Sequence, residues 1–147
     1  MRFLPFLLLV AACRGNPTPT GATCPPGNTL TYESFGKPFM EGYCTRCHSS
    51  DLMGSERHGA PLYHDFDSLE GILEVHEHVD EQAAGGPLAL NKFMPYDGDQ
   101  PTDAERYQLG TWLACEVKAF DAPDAGLFDA APLDAAPVDA GPPDAGP

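Results

Sequence analysis

The sequence predicts an all-α domain of three or four helices. Three observations carry that expectation. Residues 31–43 hold an aromatic stripe at spacings of three and four, residues 67–84 pair a capping box with an apolar stripe, and a second capping box opens a helix at Thr102. The chain has 147 residues, so one compact domain is the ceiling. Its 16 Pro and 15 Gly are too many for a fully packed globule, and part of the chain is expected to lie outside any core. With 22 acidic against 8 basic groups the net charge is -14, which excludes nucleic acid as a partner because phosphate binding needs a basic surface. Five Cys is an odd number, and each needs its own chemical fate.

The two ends separate from the helices by composition. Residues 1–12, MRFLPFLLLVAA, carry Arg2 and then an apolar run, shorter than the ~20 residues that span a bilayer. They read as a secretory signal. Val10-Ala11-Ala12-Cys13 resembles the lipobox of bacterial lipoproteins, in which the peptide is cut before the Cys and its thiol takes up a diacylglycerol. The small Ala11 and Ala12 suit a protease subsite, and a thiolate is the nucleophile that lipid transfer needs. An ordinary signal cut elsewhere, with Cys13 discarded or free, is the plainer alternative. The resemblance implies a bacterial cell-envelope protein anchored to a lipid bilayer, periplasmic or on the outer membrane. Arg14, where an Asp is associated with inner-membrane retention, favours the outer membrane. Residues 13–23 then form a lipidated tether. At the other end, Asp129, Asp134, Asp139 and Asp144 recur every five residues, each followed by Ala. A period of five fits neither helix nor strand, so residues 119–147 read as a disordered, Asp-Ala-Pro-rich acidic tail. It serves as a solvated spacer or as a docking arm for a basic partner.

Between them lies the domain, residues 24–118; residues 22–118 hold 16 acidic and 6 basic groups. In the first helix Tyr32, Phe35, Phe39 and Tyr43 form the stripe, and Pro38 moves the expected start to about Lys37, where Pro is tolerated in the first turn. Cys44-Thr45-Arg46-Cys47-His48 follows at once. Two Cys three apart on a turn can each add across one haem vinyl group, leaving the adjacent His to offer an imidazole to the iron; C-x-x-C-H is the signature of c-type haem attachment. Two other chemistries use the same residues. A zinc site would combine both thiolates with two of His58, His64, His76 and His78, and a thioredoxin-like dithiol would want a strand–helix unit around it.

The middle helix is expected over 67–84, with Asp67 and Glu70 as its capping box and Gly85-Gly86 as its stop. Its stripe is Leu69, Ile72, Leu73, His76, Val79 and Ala83, which puts His76 on the buried side and His78 on the polar one; His58 and His64 also read as solvated. Met94 then stands before Pro95 in a loop, held extended by the proline and available as a second axial ligand; core packing is the ordinary role of such a Met. Thr102 and Glu105 open the last helix, which runs to about Val117 with Tyr107, Gly110, Leu113, Ala114 and Val117 on one face.

This order of C-T-R-C-H, a loop Met-Pro, and T-D-A-E-R opening a final helix with L-G-T-W-L resembles a class I c-type cytochrome over residues 31–117. The resemblance implies helices packed around one covalently bound haem c, held by Cys44 and Cys47, with His48 the proximal and Met94 the distal iron ligand. It further implies that the first and last helices cross at small residues, for which Gly36 and Gly110 are the candidates. The carbonyl of Pro61, or of Ala60 or Gly59, would accept the His48 ring N–H, orienting the imidazole. His76 is the alternative distal ligand; Met/His ligation gives the higher potential of the two.

With Cys13 on lipid and two Cys on haem, Cys24 and Cys115 remain. In an oxidising compartment they most simply pair, the alternative being two buried thiols. The expected function is electron transfer by a membrane-anchored carrier, not catalysis, toward a redox partner with a basic docking face. A haem sensor or haem enzyme with an open sixth site, and a zinc-binding structural lipoprotein, are the rival readings.

Overall fold

The computed structural model describes residues 17–120. The signal segment, Cys13 and the acidic tail beyond Phe120 lie outside the described residues. Within them the fold is all-α, without strands, and Gly85 and Leu90 form one isolated antiparallel bridge. No described helix is long and apolar enough to cross a membrane.

The first helical segment begins earlier than its proline suggests. Thr31 and Ser34 form a reciprocal cap, and a π-helical turn, Tyr32–Gly36, runs directly into α1, Lys37–Tyr43. The wide turn, with the Gly36 amide reaching back to the Thr31 carbonyl at 3.2 Å, delivers Pro38 to a first-turn position where its missing N–H costs nothing. Gly36 lies against the buried ring of Trp112, and a Cβ there would overlap that ring. The first segment thus meets the last helix at Gly36, as expected, but across a tryptophan rather than across Gly110. Gly110 instead backs onto the carbonyl of Gly85.

The expected middle helix is two. α2 spans Leu69–Glu74 and α3 spans His76–Ala83, broken at Val75 with φ -127° and ψ 27°. The His76 ring explains the break: its Nδ1 donates to the Leu73 carbonyl at 2.7 Å, occupying a backbone acceptor at the junction of the two helices. The cap also shifts by one residue. Ser68 Oγ accepts from the Gly71 amide at 3.1 Å, while Asp67 turns away to accept from the Ser50 amide at 2.8 Å.

α4, Asp103–Phe120, is capped by Thr102 and Glu105 as predicted. Its buried face is rotated from the expected one. Leu109, Trp112 and Leu113 are buried with Arg106, and Tyr107 is 48 % exposed. These residues meet Phe39, Met40, Phe66, Ile72, Val79 and Ala83 in a single core. Glu116 closes the packing, accepting from Trp112 Nε1 at 3.0 Å and from the Tyr32 amide at 3.1 Å. Cys24 and Cys115 are joined by a disulfide, S–S 2.09 Å, across 91 positions of sequence.

Residues 17–23, expected as the end of a tether, lie on the fold. Thr20 is fully buried, and its amide and hydroxyl both donate to the Asp80 carboxylate, at 2.7 and 2.5 Å. The Thr20 carbonyl accepts from Leu88 N at 2.9 Å, and that of Thr18 from Asn91 Nδ2 at 2.8 Å.

Candidate functional site

α1 ends where the C-x-x-C-H segment begins. The Cys44 and Thr45 amides both reach the Met40 carbonyl, at 2.8 and 3.0 Å, and those of Cys47 and His48 reach the Cys44 carbonyl, at 3.1 and 3.0 Å. This tight turn brings Cys44, Cys47 and His48 onto one wall of a cleft of about 280 Å³. Both thiols are free and half-buried. Burial pushes the Cys44 thiol up to about 12, the reverse of the depressed value a redox dithiol needs. The motif also follows a helix C-terminus, and no strand–helix unit surrounds it among the described residues.

His48 is held on three sides. Its Nδ1 donates to the His64 carbonyl at 3.1 Å, its ring stacks on Phe66 at 4.6 Å and 12°, and its own carbonyl accepts from the Phe66 amide at 2.8 Å. With Nδ1 engaged, Nε2 is the nitrogen that can meet a metal. Burial lowers the pKa of His48, which keeps the ring neutral, against the raising effect of the His64 carbonyl. The acceptor is therefore His64, not Pro61, Ala60 or Gly59. The Ala60, Pro61 and His64 carbonyls all accept from Arg57, a residue with no sequence signal of its own. Buried to 3 % exposure, Arg57 donates to Pro61 O at 2.7 Å, His64 O at 3.2 Å, Ser49 O at 2.6 Å and Asp65 Oδ1 at 2.8 Å. One guanidinium thus pins the whole loop that supports the His48 ring.

Met94 lines the same cleft. Its amide donates to the Gln82 carbonyl at 2.9 Å, and its carbonyl accepts from Arg106 at 2.7 Å. Arg106 is 1 % exposed and also donates to the Ala83 and Asn91 carbonyls, at 2.8 and 3.0 Å. No sequence signal marks this role, and a buried arginine is rare unless most of its donors are filled; here Nη1 and Nη2 are bonded and Nε is not. Tyr96 stands 87 % exposed at the rim, beside an ion pair between Arg46 and Asp97.

The other histidines divide between the cleft and a second crevice on the other face of α3. His58, His64 and His78 line the cleft, with the His64 and His78 rings edge to face at 5.0 Å. Buried His64 Nδ1 has no hydrogen-bond partner. His76 lies on the other face, against a second crevice lined by the 17–22 segment and α4, so the structure brings Met94 and not His76 to the cleft. Among the described residues no three His, Cys, Asp or Glu side chains gather in a metal-holding group.

Two free thiols, an imidazole with one nitrogen occupied and a thioether line one mainly apolar cleft. That set could hold a porphyrin by its edge and its metal from both sides. Comparison with known proteins found no family, no curated protein and no solved structure that matches the chain.

Proposed function

We propose that this chain is a lipid-anchored, monohaem c-type cytochrome that carries single electrons. The observation that supports it most is the convergence of Cys44, Cys47, His48 and Met94 on one cleft, with His48 Nδ1 already bonded to a carbonyl. Cys44 and Cys47 would hold the haem covalently, and His48 and Met94 would ligate its iron. When bound, the haem supplies a one-electron ferric/ferrous couple.

The chain's own residues set the conditions for that couple. Arg57 fixes the His64 carbonyl, and the carbonyl fixes the His48 ring plane and tautomer. Arg106 fixes the Met94 backbone, so the thioether needs little reordering on a change of charge. The core side chains Phe66, Val79 and Ala83 line the cleft and keep water from it. A ligand set filled on both sides leaves no position for substrate, which makes the protein a carrier rather than an enzyme. The acidic surface steers a basic partner in brief, salt-sensitive encounters.

A reduced-minus-oxidised visible spectrum of the mature protein, repeated with CO, tests this. The proposal expects a c-type α-band unaffected by CO. Rapid CO binding by the untreated protein supports an open-site sensor or enzyme instead. A colourless protein with one zinc supports the structural lipoprotein.

A further inference from the structure

We infer that residues 17–20 are a strap that positions the loop carrying Met94, so that docking of this segment sets how firmly the thioether holds the haem iron; this rests on the cytochrome reading proposed above. The segment reaches the loop from far off in the chain, with Thr18 and Asn91 73 positions apart. Thr20 is fully buried, and its amide and hydroxyl donate to the two oxygens of the Asp80 carboxylate, at 2.7 and 2.5 Å. Its carbonyl accepts from the Leu88 amide at 2.9 Å. The Thr18 carbonyl accepts from Asn91 Nδ2 at 2.8 Å, and the same nitrogen donates to the Asp80 carbonyl at 2.9 Å. The fit is close as well as polar. A Cβ at Gly86 would come within 2.6 Å of the Thr20 carbonyl oxygen, so strap and loop touch backbone to backbone.

From Asn91 the hold passes to Met94 through one guanidinium nitrogen. Asn91 is 5 % exposed, and its carbonyl accepts at 3.0 Å from Arg106 Nη1, which also bonds the Met94 carbonyl at 2.7 Å. The loop has little regular structure of its own. Residues 84–102 join α3 to α4, and among the described residues their one ladder contact is the Gly85–Leu90 bridge. The Phe93 and Met94 amides converge on the single Gln82 carbonyl, at 3.0 and 2.9 Å. Such a loop opens locally at lower cost than the helices around it, and partners from outside set how often it does so. Undocking the strap takes the Thr18 acceptor from Asn91 and the Thr20 acceptor from Leu88. The loop then opens more often, and Met94 competes less well for the iron in proportion to the time it is out of place.

The test uses full-length holoprotein and three strap variants. Thr20→Val keeps the shape and removes the hydroxyl donor, Thr20→Ser keeps the donor, and Asn91→Leu breaks the strap from the loop side. Gly36→Ala, which strains the Trp112 contact instead, is the destabilised control. Each ferric protein is titrated with imidazole, which competes with the thioether for the iron, and amide hydrogen exchange is followed at Asn91, Phe93 and Met94. The expected result is a several-fold rise in apparent imidazole affinity, with faster exchange at those three amides, in Thr20→Val and Asn91→Leu. Thr20→Ser and Gly36→Ala should behave as the parent does. A Thr20→Val protein that melts lower but binds imidazole like the parent makes Thr20 a stabilising residue only and overturns the strap. An equal rise in Gly36→Ala overturns it too, since destabilisation anywhere would then free the ligand. If Thr20→Val does not accumulate, Asn91→Leu decides by the same two readouts. A parent without haem, or without the long-wavelength thioether band, overturns the cytochrome reading of this site, and this inference with it.

Discussion

Arg106 donates to the carbonyl of Met94 at 2.7 Å from the buried face of α4. The same guanidinium holds Ala83 and Asn91, so the position of the loop methionine is written into the last helix. All three bonds come from one nitrogen, Nη1, so Arg106→Met, which keeps an unbranched side chain but has no donor, leaves the three carbonyls unpaired. Leaving buried acceptors unpaired costs ~1–3 kcal/mol each, so a loss of about 3 kcal/mol is expected in urea unfolding. The same variant should weaken the long-wavelength absorption of a thioether-ligated ferric haem. A destabilised variant with that band intact would separate Arg106 from Met94.

Gly36→Ala tests the meeting of the first and last helical segments. Its methyl would enter the Trp112 ring, and overpacking a core typically costs ~1–3 kcal/mol. A matched Gly42→Ala should leave stability unchanged or raise it, because a Cβ at that helical position meets nothing.

The Cys24–Cys115 disulfide closes a loop across nearly the whole domain. Replacing both Cys by Ser should lower stability by ~2–5 kcal/mol, read as a fall in the unfolding midpoint. Haem attachment should persist, since the bridge lies at the far ends of the first segment and α4. Non-reducing peptide mapping should recover the linked pair.

Acid should destabilise the domain through the α4 cap. Hydrogen bonds from Thr102, side chain and backbone, and from the Tyr43 hydroxyl hold the Glu105 carboxyl below its usual range. A pKa depressed in the folded state means that the unfolded chain binds more protons, so stability rises with pH. The contribution is fully present above the ordinary Glu value of about 4.3 and is lost as pH falls through the folded value. Glu105→Gln should flatten that acid limb in pH-dependent melting, and Thr102→Ala should reduce it.

The helical identity of 31–43 and 103–117 could be read from stripes and caps because those signals are local. The split at Val75 could not, since it depends on where one His76 nitrogen points after folding. The carbonyl behind His48 was misplaced by three residues for a related reason. The resemblance implies Pro61, but the loop that Arg57 gathers turns the His64 carbonyl to the ring, where it accepts from both Arg57 and His48. Nothing in the sequence marks Arg57 or Arg106; burial shows them as the organisers of the loops that carry His64 and Met94. Cys44, Cys47 and His48 were legible from their spacing, whereas Met94 could be singled out only through the resemblance. The docked 17–23 segment was not, because Pro-Thr-Gly composition looks the same on a surface as in water.

The central claim is that Cys44 and Cys47 hold a haem covalently, and acid–acetone extraction of the mature protein followed by intact mass measurement tests it most directly. The account predicts that one haem stays with the polypeptide after extraction and that Cys44→Ser with Cys47→Ser abolishes it. Haem that passes into the solvent, or a polypeptide of bare mass with both thiols open to alkylation, would contradict it.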